Sequence, residues 1–316
     1  MADRKVIAVV GATGAQGGGL VRAILEDPSG EFAVRAITRD LGSEKARALA
    51  RLGADVVAAD LHDPASVERA FQGAFGAYCV TFFWAHFSPE TEIAEARAMA
   101  HAAARAGLEH VVWSTLEDSR RFIPLSDDRM PTLMGRYKVP HFDAKGESDR
   151  FFAESGVPTT NLLTSFYWDN FIHLGAGPQR GADGKLALVL PIADAPLPGI
   201  AADDIGRCAL GIFKAGARFR GATVGVAGEH LTGAQMADKL GRALGEPVHY
   251  QAVPPAVYRG FGFPGAEDLG NMYQFNAEFS DAFCAARPVA LARELNPSLQ
   301  TLDAWLAANA SRIPLG

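Results

Sequence analysis

The run Val9-Val10-Gly11-Ala12-Thr13-Gly14-Ala15-Gln16-Gly17-Gly18-Gly19 constrains this chain more than any other stretch. Before it stands an apolar run, Val6-Ile7-Ala8-Val9-Val10, that reads as a short buried strand. After it, Leu20-Val21-Arg22-Ala23-Ile24-Leu25 has helical apolar spacing. A strand, a glycine-rich turn and a helix together cradle phosphate, because a helix N-terminus presents unpaired N–H groups and the positive end of its dipole. Gly11 permits the tight turn, Gly14 lets a pyrophosphate approach the backbone, and Gly17 lets helix and strand pack closely. The spacing is GxxGxxG, with Thr13 where the GxGxxG pattern has its second glycine. Dinucleotide binding is the expectation.

Composition narrows what surrounds that turn. The 316 residues suffice for one large domain or two modest ones sharing a core. With 48% hydrophobic and 21% charged residues, the balance is that of an ordinary soluble globular protein. A net charge of −6 argues against a general nucleic-acid binder, which needs a basic surface to displace counterions. Cys79, Cys208 and Cys284 are scattered and lack metal-type spacing, as expected of buried thiols in a reducing compartment. Residues 1–5 run straight into the first strand, leaving no room for a signal peptide. No apolar run approaches the ~20 residues a membrane helix needs. The expectation is a cytoplasmic protein with no metal site and no membrane segment.

Strand-like and helix-like segments alternate through the first half, which predicts a doubly wound parallel sheet covered by helices, an α/β Rossmann architecture. Strands are expected at 6–10, 32–38, 55–59, 77–81, 110–114 and 158–163. The longest helix falls at 90–106, with carboxylates near its start favouring the dipole and Gly107 as its stop. Beyond about residue 165 the elements shorten, and Gly, Pro and aromatic residues become frequent. There, 186–190 reads as a strand of a small sheet, with 223–226 and 248–251 as further candidates and helices at 203–213, 233–244 and 302–310. The reading is a nucleotide-binding core over 1–165, completed by about 200–220, and a smaller α+β domain over 166–316 at the sheet's carboxyl edge.

The second strand ends Ile37-Thr38-Arg39-Asp40. An acid at that point hydrogen-bonds a ribose 2′-OH, whereas a 2′-phosphate needs a cation. Arg39 offers a planar fork suited to phosphate, with Asp40 one residue later and Lys45 as a second cation, so NADP(H) is expected over NAD(H). Asp60 and Leu61, after the third strand, would border the adenine.

Short-chain dehydrogenases protonate the substrate oxygen with a Tyr activated by a Lys four residues later on one helix face. Here the helix begins His141-Phe142-Asp143-Ala144-Lys145. Lys145 is placed to hold the nicotinamide ribose, but His141 occupies the tyrosine position. His141 is either a proton donor, since imidazolium is competent at neutral pH, or a packing residue at the helix start. Ser114 matches the usual substrate-orienting hydroxyl, and Tyr137 lies upstream, out of register.

Gly11 to Gly18, Thr38-Arg39, Val80-Thr81, His141 to Lys145, Gly262 to Leu269 and Thr301 to Leu306 together resemble the NmrA-like proteins, most of all their NADPH-sensor type. The resemblance covers nearly the whole chain and implies an atypical short-chain dehydrogenase with a Rossmann core, NADP and, in many members, no demonstrated turnover. It places the pyrophosphate on Gly11, Ala12, Thr13, Gly14, Ala15 and Gln16, beside Gly17, and the 2′-phosphate on Arg39. Thr81, Phe82 and Phe83 would line the nicotinamide side, with Tyr167, Trp168, Asp169 and Asn170 closing the pocket. The second cation of the sensor type corresponds to Ser43 here, and a longer segment, 118–139, precedes His141. That segment carries Arg120, Arg121, Arg129, Arg136 and Lys138 and reads as a lid, a partner-docking surface or a passive excursion. The aromatics Phe82, Phe83, Trp84, Trp113, Phe166, Tyr167 and Trp168 suggest an apolar slot.

The function these readings imply is an NADP(H)-binding redox sensor or regulator with weak or absent dehydrogenase activity. The alternative is an NADPH-dependent oxidoreductase acting on a quinone or other small planar carbonyl. Beyond the dinucleotide, a protein partner and a second copy of the chain are the candidate partners. A membrane and nucleic acid are not expected.

Overall fold

The computed structural model describes residues 4–316. Two compact units emerge, each assembled from separate stretches of chain. The first comprises 4–117, 144–163 and 203–224; the second comprises 118–143, 164–202 and 225–316.

Strands and helices alternate through the first unit. They are β1 (Lys5–Val9), α1 (Ala15–Glu26), β2 (Phe32–Thr38), α2 (Glu44–Arg51), β3 (Asp55–Ala58) and α3 (Pro64–Phe71). There follow β4 (Gly76–Cys79), α4 (Pro89–Ala106), β5 (His110–Thr115), α5 (Pro140–Glu154) and β6 (Thr159–Leu163). The seven-stranded sheet runs Thr223–Gly225, β6, β5, β4, β1, β2, β3. From β3 to β6 every neighbouring pair is parallel. This is the doubly wound architecture the alternation predicts. Strand order reverses at β1, with β2 on one side and β4 on the other, and ligands of such sheets bind at the carboxyl ends of the strands flanking that reversal.

Local chemistry explains the elements. Ile7, Ala8 and Val9 are completely enclosed, as a strand covered on both faces must be. α4 starts where the Ser88 hydroxyl accepts from the Thr91 N–H, has Pro89 in its first turn, and stops at Gly107 in the left-handed conformation (φ 66°). Trp113 of β5 stacks on Phe152 of α5 with ring centroids 4.6 Å apart, so Trp113 belongs to the core rather than to an apolar slot.

The strand at 223–226, grouped by sequence with the smaller sheets, instead forms the edge of the main sheet as Thr223–Gly225. Its lead-in is fixed to β6 by the Gly221 N–H on the Thr159 carbonyl (2.7 Å) and the Asn161 N–H on the Ala222 carbonyl (2.9 Å). The helix Ala202–Lys214 packs tightly on α1. A methyl group added at Gly206 would lie 2.1 Å from the Leu20 nitrogen, and Arg22 pairs with Asp203.

The second unit holds two three-stranded sheets. One orders Glu229–Leu231, Leu197–Ile200 and Phe166–Tyr167; the other orders Val248–Ala252, Leu186–Leu190 and Gln179–Arg180. Helix Gly233–Leu244 begins with a reciprocal capping box between Thr232 and Gln235. The helices Pro255–Arg259, Ala266–Glu278, Ser280–Ala285 and Val289–Leu295 were not anticipated from sequence. Among the described residues no helix is long and apolar enough to cross a membrane.

Candidate functional site

The glycine turn has the geometry its sequence predicts. Gly11 sits in the left-handed region at φ 66°. A Cβ at Gly17 would lie 2.4 Å from the Gly11 carbonyl oxygen, so only glycine lets α1 rise this close to the turn. Gly14 is the N-cap of α1; no side chain caps it, and the first turn contains no acidic residue. N–H groups of a first turn have no acceptor within their own helix, so the end of α1 combines uncapped donors with the positive end of the dipole.

At the carboxyl end of β2, Arg39 is exposed and has no hydrogen-bond or ion-pair partner among the described residues. The neighbouring Asp40 turns its carboxylate onto the Gly42 N–H (2.8 Å). Ser43 caps α2 by accepting from the Ala46 N–H (3.2 Å), and Lys45 is exposed on the first turn of α2. Asp60 accepts from the His62 N–H (2.9 Å), which fixes the turn after β3, while Leu61 packs half-buried on the core.

Beyond β4 the chain passes Val80, whose Cγ1 lies 3.1 Å from where a Gly11 Cβ would stand, and reaches Thr81. Lys145 of α5 donates to the Thr81 hydroxyl (2.6 Å) and lies 2.9 Å from a carboxylate oxygen of Glu92, which is fully buried. Thr81 in turn donates to that same oxygen (2.5 Å). Burial works to raise the Glu92 pKa. The Lys145 ammonium, with hydrogen bonds from Thr81 and Lys145 and the His86 imidazole nearby, reverses this and brings it down to about 2. His86 Nε2 is 3.5 Å from the other Glu92 oxygen, and Glu92 raises the His86 pKa above its ordinary value. His86, Glu92 and Glu95 bring ligand-type atoms within 4.8 Å of one another, but the Lys145 ammonium already neutralises Glu92 there. Phe83 is buried, whereas Phe82 is 62% exposed and presents an apolar face.

Ser114 is buried and donates to the Gln16 side-chain carbonyl (2.8 Å), which also accepts from the Tyr78 phenol. The expected substrate-orienting hydroxyl is therefore tied to the first turn of α1. On α5, four positions before Lys145, His141 is buried in the second unit. Its Nδ1 lies 2.7 Å from one oxygen of Asp268 and its backbone N–H 3.2 Å from the other. A carboxylate can only accept, so Nδ1 carries the proton. In the same unit Asp169 accepts from the Ala202 N–H (2.8 Å), the Tyr167 hydroxyl lies 3.4 Å from the Thr164 hydroxyl, and Asn170 opens the short helix Asn170–His173. The Trp168 indole is enclosed in that unit's core and presents no surface.

The profile of the NmrA-like family matches residues 3–306. The chain belongs to the NmrA-like family. An NmrA-like family domain-containing protein of Dictyostelium discoideum is 29% identical, over 80% of this chain and 82% of its own. The NmrA-like family domain-containing oxidoreductase FrzB of a Cladobotryum species is 28% identical, over 90% of this chain and 87% of its own. Among solved structures, NmrA, a negative transcriptional regulator crystallised in complex with NADP, has a TM-score of 0.79 at 25% identity, covering 98% and 96% of the two chains. That regulator has also been crystallised in complex with NAD.

Within this NmrA-like chain, the glycine turn, Arg39 and Lys145 stand on the elements where sequence reasoning put them. That reasoning missed Glu92, His86 and Asp268. Glu92 was legible only as one of several carboxylates at a helix start. Asp268 stood inside the stretch Gly262 to Leu269, whose partner, 127 residues away, nothing local reveals.

Proposed function

We propose that this NmrA-like protein binds NADP(H), with the pyrophosphate on Gly11 to Gly17 and the 2′-phosphate on Arg39. Asp60 and Leu61 border the adenine, Thr81 and Phe82 the nicotinamide side, with the buried Phe83 packed behind them, and Lys145 holds the nicotinamide ribose. The observation that carries the reading is the uncommitted Arg39 guanidinium beside an Asp40 whose carboxylate is turned onto Gly42. The crystallisation of NmrA with NADP, and also with NAD, supports a nicotinamide dinucleotide as the ligand. Titrating NADP and NAD against wild type and Arg39→Ala tests it. Loss of one charge-assisted contact is expected to weaken NADP roughly tenfold to hundredfold and leave NAD nearly unchanged. Equal affinities for the two cofactors in the wild type would sink the preference.

The chief role we infer is reporting NADP(H) state, with little turnover. The position four residues before Lys145 holds an imidazole bound to Asp268, and the Ser114 hydroxyl is engaged by Gln16. Neither group is arranged as a phenol and hydroxyl that clasp a carbonyl oxygen. One observation favours a second reading, an NADPH-dependent reductase of a quinone or other planar carbonyl. Asp268 fixes the His141 tautomer, which is how an imidazole is prepared to move a proton at Nε2. The naming of FrzB as an oxidoreductase is consistent with this. NADPH consumption with a quinone panel separates the two: the sensor reading expects none at saturating cofactor. Steady consumption that His141→Phe abolishes, with NADPH binding intact, would replace it with the reductase.

A further inference from the structure

Glu92 is completely buried in the first unit, near the start of α4. Carboxylates in a helix's first turn ordinarily face water and favour the dipole, and Glu90 does so. Glu92 turns inward, and a buried carboxylate is costly unless paired and hydrogen-bonded. One of its oxygens is where the Thr81 hydroxyl (2.5 Å) and the Lys145 ammonium (2.9 Å) converge, while Lys145 also donates to Thr81 (2.6 Å). The triangle so formed restrains a long, flexible side chain that is otherwise free to sample many rotamers. The Trp113 ring, 5.1 Å from the ammonium, closes another side. Behind Glu92, His86 accepts the Ser88 N–H at Nδ1 (3.0 Å), which leaves the imidazole proton on Nε2, facing the second Glu92 oxygen. The bond from Lys145 to the Thr81 carbonyl is long, at 3.4 Å, so this part of the ammonium's donor capacity is only weakly used. Thr81 follows Val80, which touches the glycine turn, so the triangle stands one residue from the place assigned to the pyrophosphate.

We propose that Glu92 is a positioning residue: with Thr81 it holds the Lys145 ammonium in advance where the nicotinamide ribose of a bound dinucleotide lies, and so sets affinity for the nicotinamide half alone. This rests on the dinucleotide-binding reading above and holds for sensor and reductase alike. A group fixed beforehand binds without a further ordering cost, and a loose lysine does not.

Two probes separate positioning from general damage: NADPH, and adenosine 2′,5′-bisphosphate, which lacks the nicotinamide half. Calorimetric titration of Glu92→Gln is expected to show roughly tenfold weaker NADPH binding, the scale of one charge-assisted contact, with the bisphosphate unchanged. Thr81→Val, which removes the bridging hydroxyl without introducing a buried charge, is expected to show the same pattern should Glu92→Gln not fold. In a Lys145→Met background, Glu92→Gln is expected to cost no further NADPH affinity, because it acts through a group already gone. Unchanged NADPH affinity in a folded variant, or equal loss of both probes, overturns the proposal. A wild type that binds neither probe overturns the dinucleotide reading itself, and the proposal with it.

Discussion

At the amino end of β5, His110 is fully enclosed, its Nε2 2.8 Å from the Thr160 hydroxyl and its ring edge-on to Phe213. Thr160 donates its own proton to the Phe219 carbonyl (2.7 Å), so its oxygen accepts from Nε2–H and the imidazole is neutral. Burial, aided by the charge of Arg220, pushes the His110 pKa down from 6.5 to about 4. Between those values the unfolded chain binds a proton that the folded chain refuses. Stability therefore falls as pH drops from 6.5 toward 4, by about 3 kcal/mol at ~1.4 kcal/mol per pKa unit. Urea unfolding across this range is expected to show a flatter pH dependence in His110→Gln than in wild type; parallel curves would refute the assignment. His86 has the opposite sign. Glu92 raises its pKa, so its contribution is complete below 6.5 and is lost as pH rises through the raised value. Glu92 itself stabilises above 4.5, and that contribution is lost as pH falls toward about 2.

At the scale of elements, 118–139 is the segment whose character the structure changes most. Its five cations read in the sequence as a lid, a partner-docking surface or a passive excursion. Instead Ile123, Met130, Tyr137 and Val139 are enclosed, and the buried Lys138 ammonium donates to the carbonyls of Asp127 and Met130, each at 2.7 Å. Asp143, in the first turn of α5, accepts from Ser119 at both N–H (2.8 Å) and hydroxyl (2.6 Å) and from the Lys138 N–H (2.7 Å). Helix Ala266–Glu278 adds Asn271 on the Pro131 carbonyl (2.9 Å) and Gln274 on the Arg129 carbonyl (2.9 Å). Buried amides paired this way open only with the unit around them. Hydrogen exchange is therefore expected to be slow at the amides of Ser119, Ile123 and Tyr137–Val139 without NADPH. Fast exchange there that slows only on adding cofactor would restore the cofactor-ordered lid.

At the scale of the whole molecule, two units of interleaved sequence share helix α5. Residues up to Asp143 group with the second unit, and those from Ala144 with the first. Sequence order is therefore a poor guide to which unit a late segment joins. Thr223 and Val224, read as part of a small C-terminal sheet, belong with the nucleotide-binding sheet instead.

What the sequence determined by itself was set by local sterics and by the clearest periodicity. A left-handed turn demands Gly11, close packing demands Gly17, an αL stop demands Gly107, and continuous apolar runs mark strands buried on both faces. Arg39 and Lys145 were legible for the same reason, since each stands at a fixed offset from such an element. Only the tertiary structure decided which charges meet. Glu92 faces Lys145 across 53 positions of sequence (145 minus 92), and Asp268 lies 127 residues from His141. A carboxylate at a helix start looks the same in sequence whether it faces water or an ammonium. Which of these it does depends on the neighbouring elements that desolvate it, and those are in place only once the sheet has formed.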